Sequence, residues 1–246
     1  MDIPEIDARI LFGSAETARS AELAKVRTAA VEVGFMTVVG TAVTASEVER
    51  ALDTYRRFFL LPEARKRPCD MAVTGSNRGW GASGAEQVDP NANPDFKEVF
   101  DSGPELPPGD PLTAYTYYAP NLWPEEPADF EAVIVGYYER ASRVALRLLS
   151  AVAEAIGEPA NYFDDKFDQP MALLRGNYYP PRPAHAESAD FGIAPHTDYG
   201  CLTLLATDGS PGLEVRSRTD DWIPVTVGPG TFVVNFGEML ERWTGG

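Results

Sequence analysis

Between Met171 and Gly237 the chain carries five short runs: "MALLRGNYY", "CLTLLAT", "LEVRS", "WIPVTV" and "TFVVNFG". Turn sequences such as "DGSPG" and "GPG" separate them. Runs of this length, enriched in β-branched and aromatic residues and closed off by Gly and Pro, are too short for helices and read as strands. Strands so closely spaced along a chain pack as a sandwich or a jelly roll.

The upstream sequence has a different texture. "SAELAKVRTAAVEVG" (20–34) carries Leu23, Val26, Ala30 and Val33 at helical spacing and stops at Gly34. "FMTVV" (35–39) reads as a short buried strand. "TASEVERALDTYRRFFLLP" (44–62) opens with a Ser46-to-Glu49 capping-box spacing and ends at Pro62. Residues 129–157 read as one long helix, with Gly157 and Pro159 as stop signals. In between, residues 68–128 are dense in Gly, Pro, Asn and Tyr ("TGSNRGWGASG", "DPNANPDF"), the composition of a functional lid or binding segment. The pattern predicts an α+β chain with a jelly-roll core, N-terminal helices and a long backing helix. A single domain over 1–246 is expected, with 1–128 as helical leader and loop-rich lid region and 129–246 as backing helix and strands.

Charge narrows the class of partner. Lys and Arg number 21 against 37 Asp and Glu, a formal charge of −16. Nucleic acid and anionic membrane surfaces repel such a chain, and an anionic substrate has to be caught by a few locally placed cations. The two cysteines, Cys69 and Cys201, form no CxxC pattern, which argues against a disulfide framework or zinc knuckle and suits the reducing cytoplasm. "MDIPEIDARILFG" lacks the basic-then-apolar order of a signal peptide, and no run approaches the apolar length of a membrane span. A small-molecule partner is expected, and the sequence says nothing of oligomeric state.

The candidate chemistry lies in "APHTDYGCLTL" (194–204), which holds one of only two histidines. On a strand, side chains two apart share a face, so His196 and Asp198 project together and Thr197 faces away. An imidazole and a carboxylate supply two corners of a metal site, and one more histidine completes the facial triad that holds non-heme Fe(II). Taken alone, His-x-Asp also fits a strand-end histidine bonded to a loop. The other histidine, His185, lies in "PPRPAHAES", whose composition is that of an exposed loop.

The ordered series Asn-Tyr-Tyr-Pro, His-Thr-Asp, Leu-Thr-Leu-Leu, Gly-Leu-Glu-Val, Trp-x-Pro-Val and "VVNFGEMLERWT" resembles the isopenicillin N synthase-like family of Fe(II)- and 2-oxoglutarate-dependent oxygenases. The N-terminal "IPEID", "VGFMTVVG", "FFLLPEARK" and "RGW" followed by "DFKEVFD" are similar to that family's helical leader. The resemblance implies a double-stranded β-helix that uses Fe(II), 2-oxoglutarate as cosubstrate and O2 to oxidise a small organic molecule. It implies hydroxylation by default, with ring closure, desaturation and demethylation open to the same ligands. It also implies iron held by His196, Asp198 and a distal histidine after the "ERWT" helix, beyond Gly246, so the polypeptide is expected to run on. The family's Arg-x-Ser carboxylate clamp would follow that histidine.

Asn177 and Tyr179 share a strand face by the same two-residue period. The matching positions in the family help bind 2-oxoglutarate, a task suited to groups that donate hydrogen bonds to a carboxylate. Arg175 lies on that face too. If it points inward, an anionic substrate group is a reasonable partner, since a buried cation is costly unless paired. Trp80 and Phe96, in the loop-rich zone, are candidate substrate contacts or loop anchors. Cys201 reads as a small buried hydrophobe. Three alternatives stand beside the main reading: a 2-oxoglutarate-independent oxidase or cyclase of the same family, a non-catalytic ligand-binding jelly roll, and, more weakly, a zinc hydrolase.

Overall fold

The computed structural model describes residues 2–88, 93–181, 192–217 and 220–246. In chain order the regular elements are β1 (Glu5–Asp7), α1 (Ala8–Leu11), α2 (Glu16–Thr28), β2 (Phe35–Val39), α3 (Ala45–Phe59), α4 (Glu63–Lys66), α5 (Met71–Thr74), β3 (Gly79–Gly81) and β4 (Glu98–Ser102). They continue with α6 (Phe130–Ala155), β5 (Leu174–Tyr178), β6 (Leu202–Leu205), β7 (Glu214–Arg216), β8 (Trp222–Pro224), β9 (Phe232–Phe236) and α7 (Glu238–Thr244). The contacts divide the chain into two compact units: residues 1–50, 139–170 and 197–246 in the first, and 51–138 and 171–196 in the second.

The first unit is built on a sheet of order β1-β2-β9-β6, parallel between β1 and β2 and antiparallel elsewhere. Its register sorts the side chains by face. Met36 pairs with Val234 and Val38 with Phe232, all four buried. The alternate residues Phe35, Val233 and Leu205 pack against Val215, Ile223 and Val225 of the β7–β8 hairpin. Helix α2 gives way to one π-turn over Ala29–Val33, closed where Gly34 takes φ +89° and donates to the Ala29 carbonyl at 2.7 Å. A side chain is strained in that left-handed conformation, so the predicted stop is where the backbone needs glycine. Arg19 ties α2 to the end of α6 through both oxygens of Glu154, at 2.9 and 2.5 Å.

Helix α3 starts one capping box earlier than the sequence suggests. Glu47 Oε2 accepts the Thr44 N–H at 2.8 Å while Thr44 Oγ1 accepts the Glu47 N–H at 3.3 Å. "TASEVE" contains two overlapping S/T-x-x-E spacings, and the structure uses Thr44–Glu47 rather than Ser46–Glu49. An ion pair between Glu47 and Arg140 reinforces the choice.

The second unit has a sheet of order β3-β4-β5, antiparallel throughout. One face of it meets an aromatic cluster of Tyr55, Phe58, Phe59, Trp80, Phe100 and Phe130. The rings meet largely edge-on, as their quadrupoles favour, with Phe100 and Phe130 centroids 4.8 Å apart. Two of these strands correct the sequence reading, since β3 and β4 lie inside the stretch read as lid. β3 is "GWG", and in β4 Val99, Phe100, Asp101 and Ser102 are all buried, so the alternation that reveals a strand is missing. The five strands after Met171, the strand at 35–39 and the long helix fall where the sequence places them, whereas β1 lies in the leader that the sequence reads as helical.

Gly176 sits in β5 with its α-carbon against the Tyr55 ring; a β-carbon there would lie 2.6 Å from ring atoms. Gly176→Ala is therefore expected to destabilise the protein by about 1–3 kcal/mol through overpacking. The measurement is the urea midpoint, which should fall at unchanged slope.

Candidate metal centre

His196 belongs to an irregular segment that precedes β6, not to the strand expected from the sequence; β6 begins only at Leu202. Its position is set by the backbone beside it. The Nδ1 atom lies 2.9 Å from the Ala194 carbonyl oxygen. A carbonyl can only accept, so Nδ1 carries the hydrogen and Nε2 becomes the lone-pair nitrogen, the arrangement typical of a metal-binding imidazole. Ala194 is itself buried, and its N–H donates to Asp95 Oδ1 at 3.3 Å.

Asp198 is anchored separately, within the first unit. Asn235 Nδ2 donates to Asp198 Oδ2 at 2.8 Å, and the Asp198 carbonyl accepts the Glu238 N–H at 2.9 Å. Thr197 Oγ1 adds a bond to Glu238 Oε1 at 2.5 Å. The turn after Asp198 closes against α7 through Gly237, whose N–H reaches the Cys201 carbonyl at 2.9 Å. A β-carbon on Gly237 would fall 2.1 Å from the Gly200 oxygen, so this approach requires glycine. Asn235 is a residue that the sequence reading passed over. Its signal was an amide in the apolar run "FVVNF", on the same face of β9 as Val233 by the two-residue period.

The donor set fits the group the sequence implies. One neutral imidazole nitrogen and one carboxylate oxygen suit Fe(II), Mn(II) and similar ions. Among the described residues no group of three His, Cys, Asp or Glu side chains gathers as a metal cluster. His185 lies outside the described residues.

The strand β5 arranges the remaining candidates. Tyr178 stacks on Phe59 at 5.5 Å, and Leu174 packs on the same cluster. Arg175, Asn177 and Tyr179 consequently share the opposite face. Tyr179 lies just past the strand end, half-exposed, with its ring against Gly192. Partial burial, then the Asp95 carboxylate, raises its phenol above the ordinary tyrosine range, against the opposing influence of Arg175. The hydroxyl thus stays protonated at neutral pH and serves as a donor. Arg175 is engaged by the protein itself, with Asp101 gripped at 2.7 and 2.6 Å and Glu86 at 3.0 and 2.9 Å. The expectation of an anionic substrate partner for Arg175 is corrected here, since two carboxylates already balance its charge.

Of the two readings for Trp80, substrate contact or loop anchor, its surroundings favour the anchor. It is 3% exposed within the aromatic cluster, its Nε1 donates to Glu98 Oε2 at 2.7 Å, and the Lys66 ammonium sits 4.8 Å from its ring centroid. It anchors the loop region from beneath. Phe96 is half-buried between two buried charged residues, Asp95 and Lys97. Burial pushes the Cys201 thiol up to about 11 and the Cys69 thiol likewise to about 11, so both stay neutral.

Comparison with known proteins identifies the family. The family model described as non-haem dioxygenase in morphine synthesis N-terminal matches residues 3–126, and that of the 2OG-Fe(II) oxygenase superfamily matches residues 170–246. A 2-oxoglutarate-dependent dioxygenase of Penicillium crustosum is 33% identical, over 99% of this chain and 76% of its own length. A 2-oxoglutarate-Fe(II) type oxidoreductase of Aspergillus fumigatus is 30% identical, over 99% of this chain and 74% of its own. The solved structure of a full-length Neurospora crassa protein in complex with alpha-KG superposes with a TM-score of 0.84 at 29% identity, covering 98% of this chain and 74% of that one.

Replacing Arg175 by Met leaves Asp101, whose side chain is 6% exposed, without its cation. Loss of one partner from a largely buried pair costs on the order of 3 kcal/mol. Urea unfolding should register that loss, and a variant as stable as the parent would show that the Arg175 pairs contribute little.

Proposed function

Given that this chain belongs to the Fe(II)- and 2-oxoglutarate-dependent oxygenases, a jelly-roll family, we propose that His196 and Asp198 are two of its iron ligands. Asn177 and Tyr179 hold the 2-oxoglutarate, and the reaction is hydroxylation of a small organic molecule. The observation that carries the reading is the Nδ1 hydrogen bond of His196, which makes Nε2 the ligating nitrogen. Iron held here with 2-oxoglutarate would supply the oxidising power: O2, the keto acid and a substrate C–H bond give succinate, CO2 and a C–OH product, one oxygen atom entering each of succinate and product.

The protein's own groups do the rest. The Ala194 carbonyl fixes the imidazole tautomer, and the Asn235 amide orients the Asp198 carboxylate that would help hold the metal. Asn177 and Tyr179, exposed on one face of β5, offer an amide and a protonated phenol as donors to a carboxylate. The relatives are 2-oxoglutarate-dependent by name, which favours this reading over a 2-oxoglutarate-independent oxidase, a ligand-binding jelly roll or a zinc hydrolase. Further structures of the Neurospora crassa protein hold alpha-KG with thymine or 5-formyluracil, small organic molecules of the class proposed as substrate here. Among the described residues no helix is long and apolar enough to cross a membrane. Both cysteines are buried free thiols, which suits the cytoplasmic location we propose.

Anaerobic titration with Fe(II) and then 2-oxoglutarate tests the assignment through the visible charge-transfer band of the chelate. His196→Ala and Asp198→Ala should each abolish stoichiometric iron binding while unfolding stays cooperative. Either variant binding iron as tightly as the parent would overturn the ligand assignment. Tyr179→Phe removes one donor to a carboxylate, an interaction worth about 1.5–3 kcal/mol. The KM for 2-oxoglutarate should rise roughly tenfold or more with iron affinity unchanged. An unaltered KM would separate Tyr179 from the cosubstrate.

A further inference from the structure

The second unit buries an ion pair that the proposed chemistry does not use directly. Lys97 and Asp95 side chains are each 1% exposed, with Nζ 2.9 Å from Oδ2, and Lys97 Nζ also lies 3.1 Å from Glu86 Oε2. Asp95 is fixed through its backbone as well: its N–H donates to the Glu86 carbonyl at 2.9 Å, and its carbonyl accepts the Gly84 N–H at 3.1 Å. A buried ion pair is a weak source of stability, because desolvation offsets most of the attraction. What this one does have is a defined output. The other Asp95 oxygen accepts the Ala194 N–H at 3.3 Å, and the Ala194 carbonyl in turn receives His196 Nδ1–H at 2.9 Å.

We propose that the Asp95–Lys97 pair positions His196, holding the residue 194 backbone so that its carbonyl selects the Nδ1–H tautomer and leaves the ring lone pair on Nε2. Lys97 holds the carboxylate, the carboxylate holds the Ala194 amide, and the Ala194 carbonyl holds the ring. Each link is a directional bond between buried or anchored groups, so the chain transmits orientation from a charge pair to an exposed imidazole. Asp95 and Lys97 are positioning residues and touch no reactant. The consequence for iron rests on the ligand assignment of His196, whereas the tautomer claim stands without it.

The test uses the full chain with Asp95→Leu and Lys97→Met combined. Apolar groups of similar shape replace both charges, an exchange that buried pairs tolerate without loss of stability, while the acceptor for the Ala194 N–H is removed. The His196 signals are identified in long-range 1H–15N spectra of metal-free protein at pH 8 as the imidazole set that a His196→Gln variant loses. The parent should show the Nδ1–H tautomer. The double variant should shift toward the Nε2–H form and lose ten- to a hundred-fold in anaerobic Fe(II) affinity, the usual effect of removing an outer-shell partner. Asp95→Asn, whose amide oxygen still accepts from Ala194, should restore most of both. If the double variant folds and keeps the parent's tautomer and affinity, the proposal is overturned. Should it fail to fold, Asp95→Ser takes its place, and an unchanged tautomer there is equally fatal. A tautomer shift together with iron binding that survives His196→Ala would uphold the positioning and sink the ligand assignment.

Discussion

Leu174, Gly176 and Tyr178 commit one side of β5 to the aromatic cluster, and this leaves Arg175, Asn177 and Tyr179 no choice of face. Much of the second unit follows from that alternation. Gly176 lets the Tyr55 ring approach the backbone, which presses the strand onto the cluster. Arg175 then stands opposite Asp101 across the β4–β5 register and draws in Glu86 from the preceding loop. A slip of one residue would put the guanidinium among phenylalanines and Tyr178 in the charged layer, so the register is strongly determined.

Cations are scarce in this acidic chain, and the second unit uses them twice over. Arg175 bridges Asp101 and Glu86, Lys97 bridges Glu86 and Asp95, and Lys66 serves Glu98 together with the Phe59 carbonyl. The pairs join strand to strand (Asp101–Arg175), helix to strand (Lys66–Glu98) and, through Glu86, the loop between β3 and β4 to β5.

The strands after Met171, the strand at 35–39 and the long helix were legible because each shows its period in one contiguous run. β3 and β4 were not. Two of three residues in β3 are glycine, and β4 buries four consecutive side chains, Asp101 among them, by satisfying the charge rather than by alternating. The capping residue was ambiguous because "TASEVE" satisfies the same spacing twice, and only Glu47 also reaches Arg140. At the candidate site, His196, Asp198, Asn177 and Tyr179 stood out by spacing and by resemblance. Asn235 and Asp95 did not, since their importance lies in which distant atom each one meets. Trp80 was easy to notice and hard to place, because an aromatic under a loop and one over a pocket have the same sequence surroundings.

The two cysteines carry a practical meaning for a protein of this family. Reduced iron and oxygen together generate oxidants, and a thiol is attacked through its thiolate and in proportion to its accessibility. Cys69 and Cys201 are buried, and their acidity is suppressed by about two powers of ten relative to an ordinary thiol, so neither offers the anion on which the oxidation ladder begins. With respect to its thiols, the fold is thus insulated from its own chemistry. It also offers a silent background on which one added surface cysteine becomes a selective point of attachment for a probe.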